Sequence, residues 1–460
     1  MCVSGNGLAV VFSNKTLPGA DRSLIGSNMR HWLIIISLLV TLPGCASQTA
    51  DRVATSDGHI TLTYWSATNP QELEFANLVA AEWNMLHGDV QIKVEPVPSG
   101  QSSEEVILAA IAGGTTPDIY ASVFPGAMQD LLDAQGLVQL DAYPDFFDVL
   151  NERMMPELSN QYRSSDGHFY QVPWKSNPIM VLYNTRILRE AGVSSLPANY
   201  SEFLSAAARV TRDRDGDGHI DQWMLTIDYF PIWYKRLYDF LPLYLAASNG
   251  QNLLEGRQVR FDNEGSVATF RFLHECFARG YAPRQTFQGD AFLDGRVAAR
   301  FVGPNSMGHL ERYRPADFEY DYGPIPRPDA ATGKPVSYAD PKSIVIFKTC
   351  QHPREAWEFI KFIISKQNDL QLLELSSQLP IRAGLLEDQE FADYFRRNPK
   401  LVKFAAQVTT ARSIDSVAEL KEILDVIAQE LEASVVFDLK PPEQSVHDAA
   451  RRSQQILDIE

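Results

Sequence analysis

A chain of 460 residues can bury a large core and divide into about two to four domains. Apolar content of 45% and charged content of 22% are ordinary globular values and exclude a disordered or fibrous chain. The net charge of −17 serves solubility and excludes nucleic acid as a partner, because a phosphate backbone calls for a basic face.

In chain order, the first feature is "MRHWLIIISLLVTLPGC", with Arg30 and His31 before an apolar run from Trp32 to Leu42. The run is far short of the ~20 apolar residues that span a bilayer and has the proportions of a signal peptide. Residues 1–44 are therefore expected to be a signal region, with Met29 as the start of translation. Cys45 after the small Gly44 resembles a bacterial lipobox. That resemblance implies an exported protein, lipid-anchored to the membrane through Cys45; a signal without lipid is the alternative. Residues 45–57 are small and polar and read as the tether. Beyond Cys2 and Cys45 stand Cys276 and Cys350, without metal-ligand spacing. They are expected as two separately buried thiols, with a disulfide as the alternative.

The fold begins with "ITLTYWSAT" as a strand, "QELEFANLVAAEWNMLHGD" as a helix and "VQIKVEPVP" as a strand. "SEEVILAAIAGG" is a helix and "PDIYASV" a third strand, which completes a βαβαβ unit. Further on, "IMVLYN" reads as a strand and "YSEFLSAAARVT" as a helix. "YKRLYDFLPLYLAASNG" and "SVATFRFLHECFARG" read as helices with glycine stops at Gly250 and Gly280. "SIVIF" is a strand, "PREAWEFIKFIIS" a helix, and Val417, Leu420, Leu424, Ile427 and Leu431 form one helical stripe.

Between helix and strand stands "DRDGDGHID". Against a calcium loop, Asp213, Asp215 and Asp217 fill positions 1, 3 and 5. Gly218 falls at 6, the His219 carbonyl at 7 and Asp221 at 9. Position 12 is Met224 instead of the bidentate Glu. A structural Ca²⁺ loop joining helix to strand is the expectation, with a solvated turn as the alternative.

Several landmarks in fixed order carry a resemblance. They are "LTYWSAT", "GGTTPDIYAS", "DGHFYQVPW", "VLYNTRILREAG", "FLDGRVAARFVGP", "YDYGPIPRP", "SIVIFKTCQHPREAWEFIKFI" and "LPIR". With them the chain resembles the extracellular solute-binding lipoproteins of bacterial ABC importers, the maltose-binding-protein-like class. The resemblance implies an α/β fold of two lobes with a ligand cleft between them and a hinge crossed more than once. Lobe one is expected at 58–168 plus 323–385, and lobe two at 169–322 plus 386–460. It further implies a monomer that captures a small solute, most readily a carbohydrate, and delivers it to permease subunits. A polyamine or other small cation is the alternative ligand, and a receptor the alternative partner.

Sugar recognition needs aromatic plates with hydrogen-bonding groups around them. Trp65 ends the first strand, where the carboxyl-end crevice of an α/β sheet opens. Trp174 lies beside the expected crossing, and Tyr229, Phe230 and Trp233 lie in "TIDYFPIW", which resembles a sugar-stacking stretch. Ser122 and Phe124 leave the third strand, Asn305 stands where the family often places an aromatic after Gly-Pro, and Tyr338 precedes "SIVIF". A secreted hydrolase is the remote alternative: "GPNSMG" lacks the glycine of a nucleophile elbow, and no H-E-x-x-H or P-loop occurs.

Overall fold

The computed structural model describes residues 59–459 apart from 101, 155–158 and 409. The elements run β1 (Ile60–Ser66), α1 (Pro70–Leu86), β2 (Val90–Pro96), α2 (Ser103–Gly113), β3 (Ile119–Val123), α3 (Met128–Asp133), α4 (Phe146–Arg153), β4 (Val172–Pro178) and β5 (Met180–Asn184). Next come α5 (Thr185–Glu190), α6 (Tyr200–Val210), β6 (Trp223–Leu225), α7 (Phe240–Ala247), the ribbon β7 (Leu254–Glu255) and β8 (Gln258–Val259), α8 (Glu264–Ala278), β9 (Val297–Val302) and α9 (Ser306–Tyr313). The chain ends with β10 (Tyr320–Gly323), β11 (Ser337–Ile346), α10 (Pro353–Ile363), α11 (Lys366–Ser376), α12 (Gln389–Arg397), α13 (Pro399–Val408), β12 (Ala411–Arg412), α14 (Leu420–Leu431) and α15 (Pro442–Leu457). No helix among the described residues is long and apolar enough to cross a membrane.

Local chemistry sets these boundaries. Asn69 accepts the Glu72 N–H at 2.8 Å and Pro70 follows at the first helical position, so α1 starts there. The expected helix from Tyr234 breaks in two. A 3₁₀ turn covers Trp233–Leu237, and Asp239 then caps a new helix through the Phe240 N–H. Pro242 is tolerated only near a helix start, and the restart at Phe240 places it there.

One sheet has the order β12-β11-β3-β1-β2, with β4 also paired to β11. β1 runs parallel to β2 and β3, while β11 runs antiparallel to β3 and β4. The second sheet has the order β10-β5-β9-β6. Each sheet anchors one lobe, and the described residues form one compact unit. The first crossing differs from the expected 168/169 boundary. β4 belongs to the first sheet through its pairing with β11, so the chain passes to the second sheet at Ile179. Residues 386–460 also return to the first sheet once, where β12 pairs with β11.

Helices cover both faces of the first sheet. Leu62 and Tyr64 therefore face one core while Trp65 faces another. The second sheet is covered likewise, by α6, α7, α8, α14 and α15 on one face and α9, α12 and α13 on the other. Cys276 and Cys350 are free, buried thiols in different cores, so they form no disulfide.

Candidate functional site

The parallel strands β1 and β3 end at the same edge, where an α/β sheet offers its crevice. Beneath that edge Glu72 gathers four donors. Ser122 Oγ reaches it at 2.9 Å, Gln378 Nε2 at 2.7 Å, Asn69 Nδ2 at 2.6 Å and Lys175 Nζ at 2.5 Å. Burial pushes the Glu72 carboxyl up, but Lys175 and the surrounding donors outweigh this and hold it at about 2. Asn177 extends the network, donating to Gln378 Oε1 at 3.0 Å and accepting the Leu379 N–H at 3.2 Å. Ser122 holds φ at 97°, a conformation that costs a residue with a Cβ about 1–3 kcal/mol. The network fixes this strained exit and aims the next turn, Phe124 onward, at the other lobe.

In lobe two, β6 exits into Asp228, Tyr229 and Phe230, and the two rings stack at 4.6 Å. They border a cavity of about 580 Å³ together with Phe287, Asp290, Arg300 and His309. Asp290 accepts from Arg300 Nη1 and pairs with His309 Nε2, each at 3.1 Å. Burial raises the Asp290 carboxyl, yet Arg300 and backbone amides hold it below the usual range. Arg236, fully buried, donates to the Asp228 carbonyl at 2.7 Å and to Asp239 at 2.8 Å. This pins the loop that carries Trp233.

The lobes meet at an aromatic seam. Phe124 faces Trp233 at 6.5 Å between centroids, and Lys342 Nζ lies 5.1 Å over the Phe124 ring. Lys421 of α14 bridges to Glu105 of α2 at 2.8 Å, and Tyr238 donates to Asp340 at 3.4 Å. Between them lies a cavity of about 220 Å³, walled by Phe124, Gly126 and Asp130 on one side and Trp233, Leu420 and Glu422 on the other. A Cβ on Gly126 would strike the Phe124 ring and stand 2.6 Å from Leu420 Cδ2. Gly126→Ala is therefore expected to push the Phe124 ring and Leu420 aside, to cost about 1–3 kcal/mol of stability and to weaken solute binding. Calorimetric titration beside a thermal melt checks this, and unchanged affinity would show that the seam tolerates the methyl.

The structure sorts the residues expected from sequence. Phe124 and Trp233 are brought together, Tyr229 and Phe230 form a second pair, and Ser122 is a buried donor to Glu72. Trp65 is 8% exposed and bonds Glu95 Oε2 at 3.3 Å. Trp174 corrects the expectation of a cleft plate: it is 1% exposed and packs on Phe75 at 5.9 Å. Tyr338 is likewise a core residue at 0% exposure, because the start of β11 packs into lobe two. Asn305 is exposed at the start of α9. Glu72, Lys175, Asp130 and Arg300 escaped sequence reasoning, since isolated charges in an acidic chain carry no positional signal.

In the Asp-rich loop, carboxylate oxygens of Asp213, Asp215 and Asp221 lie within 4.8 Å of one another. Asp213 accepts the Gly216 and Gly218 N–H groups, each at 2.7 Å, which holds its carboxyl below the usual range. Asp221 accepts the Arg214 N–H at 2.6 Å, Asp215 the Asp217 N–H at 3.2 Å, and Asp217 the His219 N–H at 2.8 Å. Met224 is fully buried in β6. Cys45, with the signal and tether segments, lies outside the described residues.

The profile of the family described as bacterial extracellular solute-binding protein matches residues 79–399. An uncharacterized lipoprotein in the oleD 5′ region of Streptomyces antibioticus is 27% identical over 78% of this chain and 78% of its own length. The maltotriose-binding protein of Pyrococcus abyssi is 22% identical over 75% of this chain and 71% of its own. Among solved structures, the uncharacterized protein lmo0859 of Listeria monocytogenes is 26% identical and superposes with a TM-score of 0.74, covering 87% of this chain and 100% of that one. The chain belongs to the bacterial extracellular solute-binding proteins, and it is a binding protein, not an enzyme.

Proposed function

We propose that the chain captures a carbohydrate between its lobes outside the cytoplasm and delivers it to the permease of an ABC importer. The observation that carries this reading is the aromatic seam. Phe124 and Trp233 come from different lobes and face each other, and the loop that leads to Trp233 carries the Tyr229–Phe230 pair, which lines a lobe-two cavity with the Asp290–Arg300–His309 set. Ring faces for the apolar side of a sugar, with charged and amide groups for its hydroxyls, are what such a ligand needs. The similarity to the maltotriose-binding protein of Pyrococcus abyssi supports the same class. A thermal-shift screen against oligosaccharides, polyamines and amino acids tests it, because bound solute raises Tm by mass action. Shifts with amines or amino acids and none with sugars would refute it.

Anchoring through lipid on Cys45 is part of the proposal, supported by the lipobox-like sequence and by the name of the Streptomyces relative. Cys45→Ala is expected to abolish incorporation of labelled palmitate and to release the protein from the membrane fraction. Retained label would refute it.

The loop of Asp213, Asp215 and Asp221 is proposed to hold a structural Ca²⁺, with Asp217 and the His219 carbonyl as further oxygens. Its geometry fits a hard cation in part: three carboxylates converge, although each of them, like Asp217, accepts backbone N–H groups, and the Met224 side chain offers no oxygen. Excess chelator is expected to lower Tm by a few degrees relative to saturating calcium, and Asp215→Ala with Asp217→Ala to abolish that difference. Identical melting with calcium and with chelator would show a turn without metal.

A further inference from the structure

The cavity at the seam is walled by both lobes, and its charges do not balance. Lobe one supplies Glu104, Glu105 and Asp130, and lobe two supplies Glu422, with Lys421 as the one cation in the wall. Lys421 is spent on Glu105 at 2.8 Å, and nearby Lys342 is held by Asp340 at 2.7 Å. Glu419, just beyond, is held by Arg257 at 2.9 Å. Among the described residues, the carboxylates of Glu104, Asp130 and Glu422 have no hydrogen bond or ion pair. Burial, and then the charges of Glu422, Asp133 and Glu419, push the half-buried Asp130 carboxyl up to about 6.

Bringing the lobes together thus sets like charges against each other across the seam, which opposes closure. A ligand drives closure only by binding the closed state better than the open one. A cation would remove that repulsion, and the partly exposed ring of Trp233 at the same cavity attracts positive charge as well. We infer that the solute is an amine-bearing carbohydrate whose protonated amine sits between Asp130 and Glu422. This rests on the carbohydrate reading above and adds the charge of the ligand.

Calorimetric titration with the free-amine glucosamine trisaccharide, its N-acetylated form and spermidine tests it on the wild type, Asp130→Asn, and Asp130→Asn with Glu422→Gln. The free-amine trisaccharide is expected to bind about ten-fold or more tighter than the acetylated one, the margin of one well-placed charge-assisted contact. In the double variant that preference should vanish, and the acetylated form should bind more tightly than to the wild type, because the repulsion against closure is gone. A general loss of folding would weaken both sugars together, and thermal melts identify it. Should the double variant unfold, Asp130→Asn alone decides, since its carboxylate supports no other residue. Equal affinity for both trisaccharides in the wild type, or a preference that survives the substitutions, overturns the inference and leaves the carbohydrate reading intact. Binding of spermidine with neither trisaccharide overturns both.

Discussion

Asp369→Ala is expected to cost about 3–5 kcal/mol of stability, the largest loss in lobe one for a single truncation of this kind. The Asp369 side chain is fully buried on α11, with Arg153 Nη1 at 2.7 Å and Arg382 Nη2 at 2.8 Å. Arg153 also donates to the Trp174 carbonyl at 3.3 Å, and both arginines donate to the Ile364 carbonyl. The triad ties α4, β4 and α11 into one body. Removing the carboxylate leaves two buried guanidiniums without a counter-charge, which is where the cost arises. Stability of globular proteins is only about 5–15 kcal/mol, so the variant should sit near the edge of folding. Urea denaturation measures the loss, and a change below about 0.5 kcal/mol would show that water relieves the charge.

Trp233→Ala is expected to weaken solute binding by about 1–4 kcal/mol while the fold persists. The ring is only partly buried, stands at the seam and faces Phe124 from the opposite lobe. Trp174→Ala is expected to do the reverse. It removes a ring packed in the core of lobe one and should cost about 3–5 kcal/mol of stability, with affinity of the remaining folded protein little changed. Paired titrations and denaturation curves separate the two effects. Lost affinity without lost stability in Trp174→Ala, or no change of affinity in Trp233→Ala, would reverse their assignment.

The contrast between these tryptophans shows what a sequence discloses. The β1–α1–β2–α2–β3 run was legible because alternation, the Asn69 cap and the left-handed Gly114 act over a few residues. β4 was not, because Pro173 and Pro178 argue against a strand, and its place is set by pairing with the distant β11. Tryptophan placement is likewise non-local. With both faces of a sheet covered, alternation ceases to mark inside from outside, so Trp65 and Trp174 read the same as a cleft ring. The Asp-rich loop was legible as a helix-to-strand connection because its spacing is local. Glu72 draws Ser122, Lys175 and Gln378 from far along the chain, and only folding assembles them.

The most direct test of a carbohydrate held between the lobes is a crystal structure with the oligosaccharide that gives the largest thermal shift. The account predicts a sugar ring in van der Waals contact with Trp233 and Phe124 at once, its hydroxyls facing the Asp290–Arg300 pair. A sugar bound on one lobe alone, with the Phe124–Trp233 seam free of it, would contradict the account.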